Sequence, residues 1–217
     1  MTLIRTYAIG GKICMISTDT KKVLKFFGQT LNLPNEETKI HRISDNFIAA
    51  GGGFNAIHEY VIEELKKFSS NSAIMITHHL RKISEKVPEE FKLSFKVHPD
   101  LFFGIQIIGI DELTKNIFVI GYDMENGVSM DMALYNQPIA NIIAPGDHTP
   151  AFSRTGKLQL SDPTDVTKIA EEMLHYSMRS HYELMKDFPD EISNTFCYHI
   201  LALVDDQILH FEGKTDL

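Results

Sequence analysis

Thr2 directly follows Met1, and removal of the methionine would leave its hydroxyl beside a free α-amine. A hydroxyl is a weak nucleophile until a base lies within hydrogen-bond reach, and an N-terminal amine is such a base. Gly51-Gly52-Gly53 is the most visible motif. It lacks the Gly-Lys-Ser/Thr ending of a phosphate loop and the Gly-x-Gly-x-x-Gly spacing of a dinucleotide site. Two readings are left for it: a flexible corner between a strand and a helix, or a place where a glycine N–H donates to a substrate oxyanion at a helix N-terminus. His78 and His79 are adjacent, and His175 and His181 are six apart, so neither pair shares a helical face; all four read as structural. Asp205-Asp206 and Asp123–Asn126 read as solvated turns. There is no His-Glu-x-x-His and no Cys-x-x-Cys, so no metal or other cofactor is expected.

The elements that would position these residues can be read from turns and periodicity. Leu3–Ile9 and Lys12–Thr18 flank Gly10-Gly11, a hairpin signal because glycine supplies the positive φ of primed turns. Residues 20–38 are polar and broken by Pro34, an excursion whose core, Val23–Phe27, suits a short helix or strand. Lys39–Ala50 reads as a second hairpin around Ser44-Asp45-Asn46. Ile57, Val61, Leu65 and Phe68 mark one face of a helix over 54–68, opened by the glycines. A second helix spans 72–87, with Ile76, Leu80, Ile83 and Val87 on one side and Pro88 at its end. Strands follow at Phe102–Ile110, Ile117–Tyr122, Val128–Ala133 and Ile139–Ala144. Ser161-Asp162-Pro163 predicts the start of a long helix, since proline at the first turn loses no hydrogen bond. Phe196–Val204 and Ile208–Phe211 close the chain as a hairpin. Helices in blocks, rather than alternating with strands, predict an α+β protein, a four-layer αββα sandwich of two antiparallel sheets.

The chain has 217 residues, 43% hydrophobic and 23% charged, enough for one sizeable core, and is read as a single domain over 1–217. Its 21 basic and 29 acidic side chains give a net charge of −8, which argues against nucleic-acid and anionic-membrane partners. No apolar run is long enough to span a bilayer, and the first residues lack the layout of a secretory signal, so a cytoplasmic location is expected. Cys14 and Cys197 sit in strand-like runs and are expected to be buried, reduced thiols.

Taken in order, these segments resemble the proteasome-type N-terminal-nucleophile (Ntn) hydrolases, including the simpler bacterial peptidase subunit that works with an ATP-dependent unfoldase. The likeness runs through Thr2, the Gly10-Gly11 turn, Ile13–Asp19, Lys39-Ile40-His41-Arg42-Ile43, the Gly51–Gly53 corner, Ile107–Asp111 with its following turn, Ala144–Asp147 and Asp190-Glu191-Ile192-Ser193. It covers nearly the whole chain. Three departures stand out: a longer connection between Asp19 and Lys39, Gly146-Asp147 where the family has Gly-Ser, and a Pro- and Gly-containing stretch over 149–160 where the family has a helix.

The resemblance implies a threonine-type peptidase subunit of a self-compartmentalised ring. Thr2 Oγ would attack a peptide carbonyl, and its own amine would carry the proton. Lys39, oriented by Asp19, would favour the developing alkoxide, and the N–H of Gly53 would hold the oxyanion. Asp190 and Ser193 would orient the amine. The implied partners are further copies of this chain in a closed ring, peptide or unfolded-protein substrates, and, in the bacterial systems, an ATP-dependent unfoldase. Two other readings stay open: a catalytically inactive ring subunit of the same fold, and an amidase for small molecules. Inactive subunits of the family carry an extension ahead of the first strand, and only Met1 precedes Thr2 here.

Overall fold

The computed structural model describes residues 3–21, 23–26, 29–32, 39–53, 55–87, 103–135, 137–143 and 146–217; for 23–26, 29–32, 55 and 56 it describes the backbone. Thr2 and Pro88 lie outside the described residues. Among the described residues, twelve strands run in chain order: β1 Ile4–Ile9, β2 Ile13–Asp19, β3 Val23–Phe26, β4 Gln29–Asn32, β5 Ile40–Arg42, β6 Phe47–Gly53, β7 Phe103–Ile110, β8 Ile117–Asp123, β9 Gly127–Met132, β10 Ile139–Ile143, β11 Thr195–Val204 and β12 Gln207–Asp216. The helices among the described residues are α1 Asn55–Phe68, α2 Ala73–Lys86, α3 Thr149–Thr155 and α4 Val166–Asp187. The protein is therefore α+β, with two five-stranded antiparallel sheets, ordered β10-β1-β2-β11-β12 and β5-β6-β7-β8-β9.

Alternation along the strands creates three apolar layers. Ile4, Ala8, Cys14 and Ile16 of the first sheet face Ile48, Ala50, Ile108, Ile110 and Val119 of the second. The other face of the second sheet, with Ile105, Ile107 and Ile120, is covered by Ile57, Val61 and Leu65 of α1 and Ile76, Leu80 and Ile83 of α2. Ile13, Met15, Ile200 and Ala202 on the outer face of the first sheet pack on Ile169 and Met173 of α4. That is the four-layer sandwich expected from the blocked order of elements. Cys14 and Cys197 are buried and not joined in a disulfide, one in β2 and one in β11. Burial raises the Cys14 thiol well above its usual range.

Turn chemistry explains the hairpins. Gly11 has φ 68°, and a side chain on Gly10 would collide with the Ala133 carbonyl. Asp205 and Asp206, at φ 48° and 62°, form the two-residue loop between Val204 and Gln207, the left-handed pair that a primed hairpin requires.

The core of the polar excursion after Asp19 takes the strand alternative, β3, paired with β4. Three local expectations change. The triple glycine does not open α1. It is the end of β6, with Gly51, Gly52 and Gly53 paired to Ile105, Gly104 and Phe103. The stretch 149–160 does contain a helix, α3, because Pro150 falls in the first turn, where proline is tolerated. The long helix starts at Val166 rather than at Ser161. Asp162 instead closes a turn by accepting from Thr164 N and Oγ1, while Asp165 caps the helix by accepting from the N–H groups of Thr167 and Lys168.

Helix α2 is capped from outside. The Ser72 side chain makes no cap bond; Asp111, in the turn after β7, accepts the Ala73 N–H at 2.9 Å through Oδ2. Its Oδ1 accepts from Leu113 N, Thr114 N and Thr114 Oγ1. Burial alone would raise the Asp111 pKa, but these bonds outweigh it and hold the carboxyl below its ordinary value. Asp111→Ala should destabilise the fold by about 2 kcal/mol, a cap and a turn lost together. Urea unfolding at neutral pH checks this. The sign also fixes the pH dependence: the Asp111 contribution is present at neutral pH and is lost as pH falls through the lowered folded-state pKa.

Candidate active site

Four chain segments meet at one end of the sandwich. β2 ends at Asp19, Lys39 immediately precedes β5, Leu3 precedes β1, Thr20-Lys21 leave β2, and Ser193 lies in the turn before β11. Asp19 ends a strand of the first sheet and Lys39 opens a strand of the second, so their contact joins the two sheets. Lys39 Nζ lies 2.7 Å from Asp19 Oδ1 and also donates to the Lys21 carbonyl at 2.7 Å. The two side chains are 7% and 0% exposed.

Asp19 is tied in three directions. Oδ1 accepts the Leu3 N–H at 2.9 Å as well as the Lys39 ammonium, and Oδ2 accepts the Lys21 N–H at 2.9 Å. The Asp19 N–H in turn donates to the Leu3 carbonyl. Leu3 is also held by its side chain, buried against Ala151 of α3, Leu184 of α4 and Ile192. Both ends of Leu3 are thus fixed, and the amide that Asp19 accepts is the one that joins Leu3 to Thr2. The approach of the Lys39 ammonium to the Thr2 hydroxyl lies outside the described residues.

Ser193 stands next to this pair. Its Oγ is 3.1 Å from Thr20 N and 3.2 Å from Thr20 Oγ1, and it donates to the Thr195 carbonyl at 3.2 Å. Asp190, three residues earlier, is exposed and makes no hydrogen bond to Asp19, Lys39 or Ser193. Gly53 is also exposed. Its φ of 101° suits only glycine, and no hydrogen bond links it to Asp19, Lys39 or Ser193. Asp147 accepts from Thr149 N at the start of α3. Of the residues implied by the resemblance, Asp19, Lys39 and Ser193 form a cluster; Gly53 and Asp190 stand apart from its hydrogen bonds.

Two buried side chains lie beneath the cluster: Arg5, which is not among the sequence-derived candidates, and His181, to which the sequence assigns a structural role only. Arg5 of β1 is fully buried, donating through Nη1 to the Ser177 carbonyl at 2.8 Å and lying 5.6 Å from the Phe152 ring centroid. Ser177 also meets Ser17 of β2, Oγ to Oγ, at 2.8 Å. Burial lowers the guanidinium pKa to about 10, so it stays cationic at neutral pH. His181 of α4 is 1% exposed. Burial is the main cause that lowers its pKa, to about 4, with the nearby charges of Arg5 and Lys39 acting the same way; the Ser193 bond and Asp19 oppose them. A lone arginine inside the apolar run Ile4–Ile9 was the available signal for the first; nothing local marks the second.

The His181 shift has a measurable consequence. Its folded-state pKa of about 4 lies below the ordinary 6.5, so between these pH values the unfolded chain binds the extra proton. Stability should therefore fall as pH drops from about 6.5 to about 4, by about 3 kcal/mol from this group. Urea midpoints across that window should show the slope, and it should flatten in His181→Gln.

No family model matches the sequence, and no curated protein matches it. Solved structures do match. The structure of a Gly-1 mutant of Anbu from Hyphomicrobium sp. strain MC1 covers 100% of this chain with 87% of its own, at a TM-score of 0.64 and 10% sequence identity. The fold is Anbu-like. At 10% identity the likeness to Anbu is one of fold alone, and a fold does not fix chemistry. What the Anbu-like sandwich provides here is the frame: two sheets whose ends bring Asp19 and Lys39 to the first residues of β1. Among the described residues, no helix is long and apolar enough to cross a membrane.

Proposed function

We propose that the chain is a threonine-type peptidase subunit of a self-compartmentalised, cytoplasmic ring of identical copies, acting on peptides or unfolded proteins through Thr2. The observation that carries this reading is the buried Asp19–Lys39 pair closed on the Leu3 amide. A cation held where the chain enters β1 would stabilise an alkoxide formed there, and a cation already fixed by a carboxylate needs no rearrangement to do so. Ser193, bonded to the backbone next to Asp19, adds a hydroxyl at the same point. Confinement in a ring is what makes such a nucleophile tolerable in a cell.

A second reading, an inactive ring subunit, draws on two observations. Asp147 replaces a helper hydroxyl and turns to Thr149, and Asp190 is exposed away from the Ser193 bonds. One experiment separates the two. Protein sized by light scattering is given unstructured fluorogenic peptides of varied sequence; the peptidase reading expects an oligomer that cleaves at least one class of them. An oligomer inert to all of them favours the structural subunit, and a monodisperse monomer contradicts both readings.

A further inference from the structure

We propose that His181 is a positioning residue for this site, holding Ser193 by its carbonyl so that the Ser193 hydroxyl stays on Thr20. His181 Nε2 lies 2.8 Å from the Ser193 carbonyl oxygen. A carbonyl only accepts, so Nε2 carries the hydrogen and donates it. The ring is further fixed edge-on against Phe196 of β11, with centroids 5.5 Å apart. His181 therefore has its orientation set by packing and its tautomer set by one bond.

The hydroxyl beyond it has a defined role. Ser193 Oγ has one hydrogen, and it goes to the Thr195 carbonyl. The Thr20 N–H and the Thr20 Oγ1–H then both point at Ser193 Oγ as donors. Thr20 is the residue after Asp19. A continuous path of bonds thus runs from α4 through His181, Ser193 and Thr20 to the carboxylate that holds Lys39. In the turn carrying Ser193, Ile192 is anchored in the core beside Leu3 and Leu184 while Asn194 is exposed, so the bond from His181 fixes the carbonyl between a packed residue and a solvent-facing one.

The charged groups around the imidazole explain why it acts as a neutral donor. Asp19 of β2, Arg5 of β1 and Lys39 ahead of β5 all act on it electrostatically. Two are cations, and an imidazolium would be a third. Neutral imidazole gives the carbonyl one N–H without adding charge beneath the Asp19–Lys39 pair. Outer partners of this kind, which orient a group that itself orients the reacting residues, typically matter at the level of 10–100-fold in activity.

The catalytic part of this inference rests on the proposed peptidase reading, and the test separates the two. Long-range ¹H–¹⁵N spectra of the wild-type protein should show His181 as the Nε2–H tautomer from about pH 6 to 8, and the Thr20 amide should be protected from hydrogen exchange. His181→Leu should speed Thr20 exchange and lower kcat about 10–100-fold, with KM within about twofold. His181→Gln, which can place an amide N–H near the same carbonyl, should keep Thr20 protection and most of kcat. An Nδ1–H tautomer overturns the proposal. So does a folded His181→Leu with unchanged kcat and unchanged Thr20 protection, and so does a His181→Gln as impaired as the leucine variant. Should His181→Leu not fold, the tautomer and the glutamine variant decide. If the wild type cleaves no peptide, the function reading fails, and the tautomer and Thr20 exchange still judge the role of His181.

Discussion

Replacing Thr2 with alanine should remove nearly all peptide hydrolysis while leaving the unfolding midpoint where it was. The loss expected for a nucleophile is at least about 10³-fold in kcat, because no other group supplies the attacking oxygen. Stability should be spared because the anchors of the chain start are one residue further on. Leu3 carries the buried side chain, and the Leu3 N–H is the donor to Asp19. A Thr2→Ser variant keeps the hydroxyl and the amine, and should retain measurable turnover. Full turnover by Thr2→Ala would assign the hydrolysis to another residue.

The second large effect concerns the pair that joins the sheets. Asp19→Leu should destabilise the fold by about 3–5 kcal/mol, because it leaves a buried ammonium without its carboxylate. It also strands the N–H groups of Leu3 and Lys21. Lys39→Met should cost about as much, leaving the carboxylate buried without its cation. The double replacement Asp19→Leu with Lys39→Met should recover a large part of that stability, since a buried ion pair exchanged for apolar groups of similar size is often neutral or better. Turnover should not recover with it. Stability by urea unfolding and kcat on one peptide, measured on all four proteins, make a cycle in which the two quantities part company. If activity follows stability back up in the double variant, the pair is a structural clamp and plays no part in the chemistry.

The fold was legible where side-chain periodicity and turn residues agree. The β1–β2 hairpin around Gly10-Gly11, the α1 and α2 faces and the β11–β12 hairpin all stand within a few residues of where the sequence puts them. The blocked order of helices and strands carried the layer count. What was not legible involved signals with two possible outcomes. Asp162 and Asp165 are both good caps, and the nearer to the apolar positions Val166, Ile169 and Met173 won. Pro150 reads as a breaker but sits in the first turn of α3, and Gly156, at φ 78°, ends that helix. Gly51–Gly53 looks like a loop, yet tertiary pairing with β7 makes it strand.

The site was legible only in part, for a different reason. Asp19 and Lys39 carry no local sign of their pairing, since they come from different sheets and a buried ion pair has no periodicity. The ordered resemblance, rather than the residues singly, pointed to them. Arg5 meets Ser177 across 172 positions, and His181 meets Ser193 from the far side of a helix–strand turn. Contacts of that kind become visible only once α4 is laid on the first sheet.

The central claim is that Thr2 is the N-terminal nucleophile, and intact mass spectrometry tests it most directly. Protein made in its native host would be weighed before and after exposure to a peptide epoxyketone, a reagent whose two electrophilic carbons call for a hydroxyl and an adjacent free amine. The account predicts a chain lighter by one methionine that gains one reagent per chain, with the adduct mapping to Thr2 and absent from Lys39→Met. A chain that retains Met1, or one that has lost it and gains no reagent, would contradict it.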